Sequence, residues 1–156
     1  MIRILALVAS HIAVLGVGFA LGIYMLPILT EPEGPAAEVL AEMAEQATYS
    51  AELTRDQRGN DRLHWGEGSI HVSGTQVIHQ GKLAPGPDYK LYLVKEFAEH
   101  EDEFLPIKDT ALQVGDVDTF DGFILDLPAG VDTEQYTTVL IWCEAFSEFI
   151  TSAKYR

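Results

Sequence analysis

The stretch GSIHVSGTQVIHQGKLAPGPDYKLYLV, residues 68–94, decides the fold class. It holds three short apolar runs, GSIHV, TQVIH and YKLYLV. Ser73-Gly74 and Ala84-Pro85-Gly86-Pro87-Asp88 separate them. Gly reaches backbone conformations that other residues avoid, and Pro presets a turn angle, so both interruptions read as turns. In YKLYLV, Leu91 and Leu93 fall on one side and Tyr92 on the other, the period of two expected of a strand.

The same texture extends both ways. TYSAEL and RLHW come before; FDGFILDL, TTVLIW and EFITSAKY come after, with Pro128 and Gly130 closing the first of these. Short strands divided by turn residues predict an all-β domain over residues 48–156, an antiparallel β-sandwich or barrel. The acidic EHEDEF segment, residues 99–104, reads as a solvated loop with one helical turn. Asp116, Asp118 and Asp121-Gly122 lack the spacing of a calcium loop and read as a polar turn.

Residues 30–47 form a stalk. Pro32, Gly34 and Pro35 interrupt the chain, and AAEVLAEMAEQA then favours a short helix with an apolar stripe. That stripe can pack on the domain, on a membrane or on a second copy. The pattern does not choose among them.

Residues 4–29, ILALVASHIAVLGVGFALGIYMLPIL, contain no Asp, Glu, Lys or Arg. About 20 such residues span a bilayer as a helix. The run exceeds the roughly 7–15 apolar residues of a secretory signal, and no A-x-A site follows it, so an uncleaved anchor is expected. Arg3 precedes it and Glu31 and Glu33 follow, which places the N-terminus in the cytoplasm and the domain in the periplasm or outside the cell. Gly18 and Gly22 form a GxxxG pattern through which two copies could dimerise, although Gly is common in membrane helices anyway. His11 needs no role beyond a neutral imidazole near one end.

The chain of 156 residues carries a formal charge of −14. All 24 acidic residues follow residue 30, against nine basic ones. Nucleic acid is excluded as a partner, because phosphate binding requires a basic face. The single cysteine, Cys143, rules out an internal disulfide. The domain must be held by packing.

Cys143 ends the run Val139-Leu140-Ile141-Trp142-Cys143, apolar on both faces as in a central strand. An unpaired cysteine is commonly a small core hydrophobe. The functional alternative is a redox thiol or a ligand to a group such as haem, with His64, His71 and His79 as candidate second ligands. If strands pair in chain order, His64 and His71 would face each other across a hairpin. No nucleophile elbow, Walker loop, HExxH or Rossmann fingerprint occurs, so a turnover enzyme is disfavoured.

GPDYKLYL, residues 86–93, and IWCEAFSEFITSAKY, residues 141–155, together resemble the DM13 family. The shared features are a Gly-Pro-Asp turn into an alternating strand, an aliphatic-Trp-Cys strand, and a final strand ending near a small residue. Gly86, Pro87, Asp88 and Trp142 fall in these motifs, and Phe146, Phe149 and Ala153 sit where the pattern expects them. The resemblance implies an extracytoplasmic β domain proposed for electron transfer, with Cys143 as redox thiol or as ligand to a prosthetic group. Asp88 is expected to accept backbone N–H groups in its turn. Two functions remain: a redox module working with an unidentified envelope partner, or a non-catalytic module binding protein or glycan around a structural cysteine.

Overall fold

Where the sequence alternates, the chain pairs. The computed structural model describes residues 1–156. Its eight strands are β1 (Tyr49–Leu53), β2 (Gly66–Val72), β3 (Gln76–Leu83), β4 (Tyr89–Val94), β5 (Leu112–Val117), β6 (Phe123–Asp126), β7 (Thr138–Cys143) and β8 (Glu148–Lys154). They form two four-stranded antiparallel sheets, ordered β1-β2-β3-β6 and β5-β4-β7-β8. The sheets face each other across one apolar core. Ile70, Val72 and Val77 come from the first sheet, and Leu91, Leu93, Val139 and Ile141 from the second.

β7 lies between β4 and β8, the central position that its two apolar faces predict. All six of its residues are buried. Val139, Ile141 and Cys143 enter the main core, whereas Leu140 and Trp142 join a second cluster on the outer face. That cluster is covered by α3 (Glu101–Phe104) and the 3-10 turn Leu105–Thr110, with the Phe104 ring 5.1 Å from that of Trp142.

The acidic segment is less solvated than its composition suggests. Arg58 reaches Asp102 at 2.6 Å and Glu103 at 2.7 Å, and Glu101 accepts the Phe149 N–H at 3.0 Å. The exposed pairs contribute little, about 0–1 kcal/mol each. Pinning the lid to β8 is the Glu101 carboxylate's role.

The N-terminal helix α1 (Ile2–Thr30) has no buried residue, and by length and composition it can cross a membrane. The stalk is structured. α2 (Ala37–Ala44) packs on β3 and buries Leu40 against Gly122. Of the three partners open to its stripe, the domain takes this residue. Just beyond α1, Glu31 accepts the Phe120 N–H at 2.7 Å. Burying one leucine stabilises by about 1.5–3 kcal/mol, and a charged hydrogen bond adds about 1.5–3 kcal/mol. A few kcal/mol therefore hold the helix base against the sandwich.

Away from its turn, the β2–β3 pairing depends on one glycine pair. Gly68 has φ 111° and lies opposite Gly81, and a side chain at Gly68 would collide with the Gln80 carbonyl. Gly68→Ala is expected to cost about 1–3 kcal/mol, the usual range for such backbone strain. Urea unfolding of the domain measures it, and an unshifted midpoint would contradict the assignment.

Candidate functional site

Cys143 occupies the last position of β7, directly opposite Tyr89, the first residue of β4. The Gly86-Pro87-Asp88 turn brings β4 in beside it, and the Asp88 carbonyl accepts the Glu144 N–H at 2.9 Å, closing this end of the sheet. Gly86 must be small, because a Cβ there would overlap the Tyr89 ring. The sulfur is thereby seated at the mouth of the sandwich, and Cys143 as a residue is 2% exposed.

What exposure it has faces a cleft of about 290 Å³. Pro85, Gly86, Pro87 and Tyr89 line one side, and Leu63, His64 and Phe146 the rim. The remaining wall is supplied by Ala20, Ile23 and Tyr24 of α1. Seven of the eleven lining residues are hydrophobic, so the cleft suits an apolar ligand at the lower limit of about 300 Å³ for small-molecule pockets.

Burial pushes the Cys143 thiol above its ordinary pKa, and the Asp88 carboxylate pushes the same way. The backbone N–H groups of Phe146, Ala145 and Asp88 pull against it without prevailing. The resting sulfur is a protonated thiol, yet it has amide donors ready for a developing negative charge. Burial and the nearby sulfur likewise hold the Tyr89 phenol neutral.

The three candidate histidines separate. His64 lines the Cys143 cleft, and its Nδ1 lies 3.2 Å from Asp61. His71 pairs with Ser50 of β1 and Ser69 of its own strand, at 2.9 and 3.0 Å. Because His64 lies in the loop before β2, the two do not meet across a hairpin. His79 is fully buried in the sandwich, 5.2 Å from the Phe123 ring, and donates from Nε2 to the Glu67 carbonyl at 3.1 Å. Its Nδ1 has no partner, and burial holds its pKa low, so the ring is neutral.

Asp88 also differs from expectation. Its carboxylate takes Lys90 at 2.7 Å rather than backbone donors, and Lys90 continues to Asp116 at 2.9 Å. Trp142 points away from the cleft. On its side, Lys108 bridges to Glu144 at 2.6 Å above the Tyr92 and Trp142 rings, and Tyr92 donates to the same carboxylate. Burial opposes the charge on Glu144, but these two donors outweigh it and hold its pKa low.

Haem does not fit this arrangement. The sulfur is recessed, only one candidate imidazole shares its cleft, and a porphyrin would have to displace α1 or the Pro85–Pro87 loop. The donor set suits a small reactant at sulfur. Tyr89, Leu63 and the α1 residues were not legible as site residues. Tyr89 follows the Gly-Pro-Asp turn directly, but only the β4–β7 register places it against Cys143.

Two pH dependences follow. The raised thiol pKa means the unfolded chain deprotonates first, so this contribution to stability is lost as pH rises above about 9. Iodoacetamide should accordingly label native Cys143 more slowly than the urea-unfolded chain at pH 8, and Cys143→Ala should flatten the alkaline fall in stability. His79 has the opposite sign: its lowered pKa means the unfolded chain binds the proton first, and stability falls as pH drops below about 6.5. Urea titrations from pH 7.5 to 5 on the parent and on His79→Gln check this, the variant losing that slope.

No curated protein and no solved structure matches this chain. A family model described as electron transfer DM13 matches residues 58–155, which takes in Cys143, the cleft residues outside α1 and seven of the eight strands. With well over half its length matched, the chain belongs to the DM13 electron-transfer family.

Proposed function

We propose that this protein is a membrane-tethered redox module whose reacting group is the Cys143 thiol. The observation carrying the proposal is the opening of an apolar cleft onto the only cysteine of a DM13 domain. α1 is the tether, with Arg3 on the cytoplasmic side and residues 31–156 on the far side. The matched family supplies the redox class; the sulfur, the tether and the sidedness are the finer reading.

The chemistry we assign is two-electron oxidation by an organic hydroperoxide. The sulfur attacks the outer peroxide oxygen, the O–O bond breaks and an S–O bond forms. Cys143 becomes a sulfenic acid and the hydroperoxide an alcohol. The thiol proton ends on the leaving alkoxide, with His64 as the group in the cleft suited to carry it. The amide donors around the sulfur favour its transient negative charge. Two equivalents of a reducing thiol then restore Cys143, giving water and a disulfide.

A second reading has an observation of its own. Cys143 is nearly inaccessible and belongs to the main core, as a structural cysteine in a protein- or glycan-binding module would. One experiment separates the two. Full-length protein in lipid nanodiscs is treated with cumene hydroperoxide and then with dimedone, and the adduct is located by mass spectrometry. The redox reading expects a Cys143 adduct, prevented by a thiol reductant added after the hydroperoxide and removed before dimedone, and absent from Cys143→Ser. An unmodified Cys143 in a folded protein would favour the structural reading.

A further inference from the structure

We infer that the cleft rim is a membrane-docking face, so that the approach to Cys143 opens onto lipid rather than water. The inference rests on α1 spanning the bilayer. It does not depend on what the sulfur does.

α1 has 29 residues and is about 43 Å long at about 1.5 Å per residue. A hydrocarbon core of about 30 Å takes about 20 of them. Counted from Ile4, the first residue past Arg3, that core ends near Ile23. Ala20, Ile23 and Tyr24 form a wall of the cleft. The cleft therefore lies at the level of the outer membrane boundary, where Tyr commonly anchors helices.

The β domain matches that position. Leu63 is 55% and Phe146 51% exposed, a cost in water that insertion among lipid headgroups removes. Both stand on loops beside α1 and line the cleft. Charge agrees as well. In a strongly acidic domain, the acids next to the lining residues have partners: Asp61 accepts the Leu63 and His64 N–H groups, Asp88 pairs with Lys90, and Glu144 with Lys108. The face can approach a bilayer without leaving these carboxylates unpaired. The Glu31–Phe120 hydrogen bond and the seated Leu40 hold the domain at this height on the helix. The fitting surface is a zwitterionic one, since the acidic remainder of the domain would be repelled by anionic lipid. Reactants reaching Cys143 are then apolar molecules that partition into the membrane.

The test uses full-length protein in phosphatidylcholine nanodiscs. In a Cys143→Ser background, a spin label is placed by Leu63→Cys, Phe146→Cys, Gly16→Cys within α1, or Gly74→Cys at the far hairpin. At Leu63 and Phe146 the accessibility ratio of oxygen to a polar nickel chelate is expected to be severalfold above that at Gly74. Values equal to Gly74, with Gly16 still in lipid, would overturn the docking while leaving the tether intact. Gly16 also in water would overturn both. A second arm needs no substitution: a lipid-partitioning alkylmaleimide should label Cys143 severalfold faster than a cationic methanethiosulfonate, once each is normalised to its rate with the urea-unfolded chain. Equal normalised rates would overturn the inference.

Discussion

Antiparallel pairing of β4 with β7 is the constraint on which the site depends. It sets Tyr89 opposite Cys143 and Leu91 opposite Ile141, so both strands send their inward residues into the same core. Side chains alternate along a strand, and a slip by one residue would send Cys143 outward and drive Trp142 into the sandwich. Two packed faces oppose that slip. The main core holds one side of β7, and Phe104 with Phe149 holds the other. The sulfur's place follows from large apolar residues far from it in sequence.

That placement creates a conflict that the local chemistry resolves only partly. A thiol near the core gains from packing but loses its charge, since desolvation penalises the thiolate more than three nearby amides favour it. The usual route to a reactive cysteine, a cation or a helix N-terminus beside the sulfur, is absent: Lys90 and Lys108 are both engaged by carboxylates. A cysteine so placed is a buried, protonated thiol of low nucleophilicity toward reagents in water.

The electrostatics of the domain divide in the same way. Its net negative charge is a property of composition and keeps it from polyanions. Around the cleft the acids have partners, Lys90 serving Asp88 and Asp116 together and Lys108 held above two aromatic rings as it reaches Glu144. The ion pairs stabilise little individually. Their consequence is a rim whose carboxylates each have a polar or basic partner, on an acidic protein.

The sequence by itself determined the parts that depend on period and composition: one apolar helix, a partly helical stalk, short strands punctuated by Gly and Pro, one strand ending at Cys143 that is apolar on both faces, and one unbridged sulfur. Those follow from hydrophobic alternation and from turn residues whose backbone limits are local. The family motifs around Asp88 and Cys143 were legible for the same reason, being contiguous. Tertiary structure alone decided which histidine shares the cleft with Cys143, that Lys90 links Asp88 to Asp116 across the β4–β5 pair, that Leu40 straps the stalk to β3, and that α1 closes the remaining wall. Each of these joins residues tens of positions apart. Strand order and register bring them together, and those are fixed by how two sheets fill one core, which no local pattern encodes.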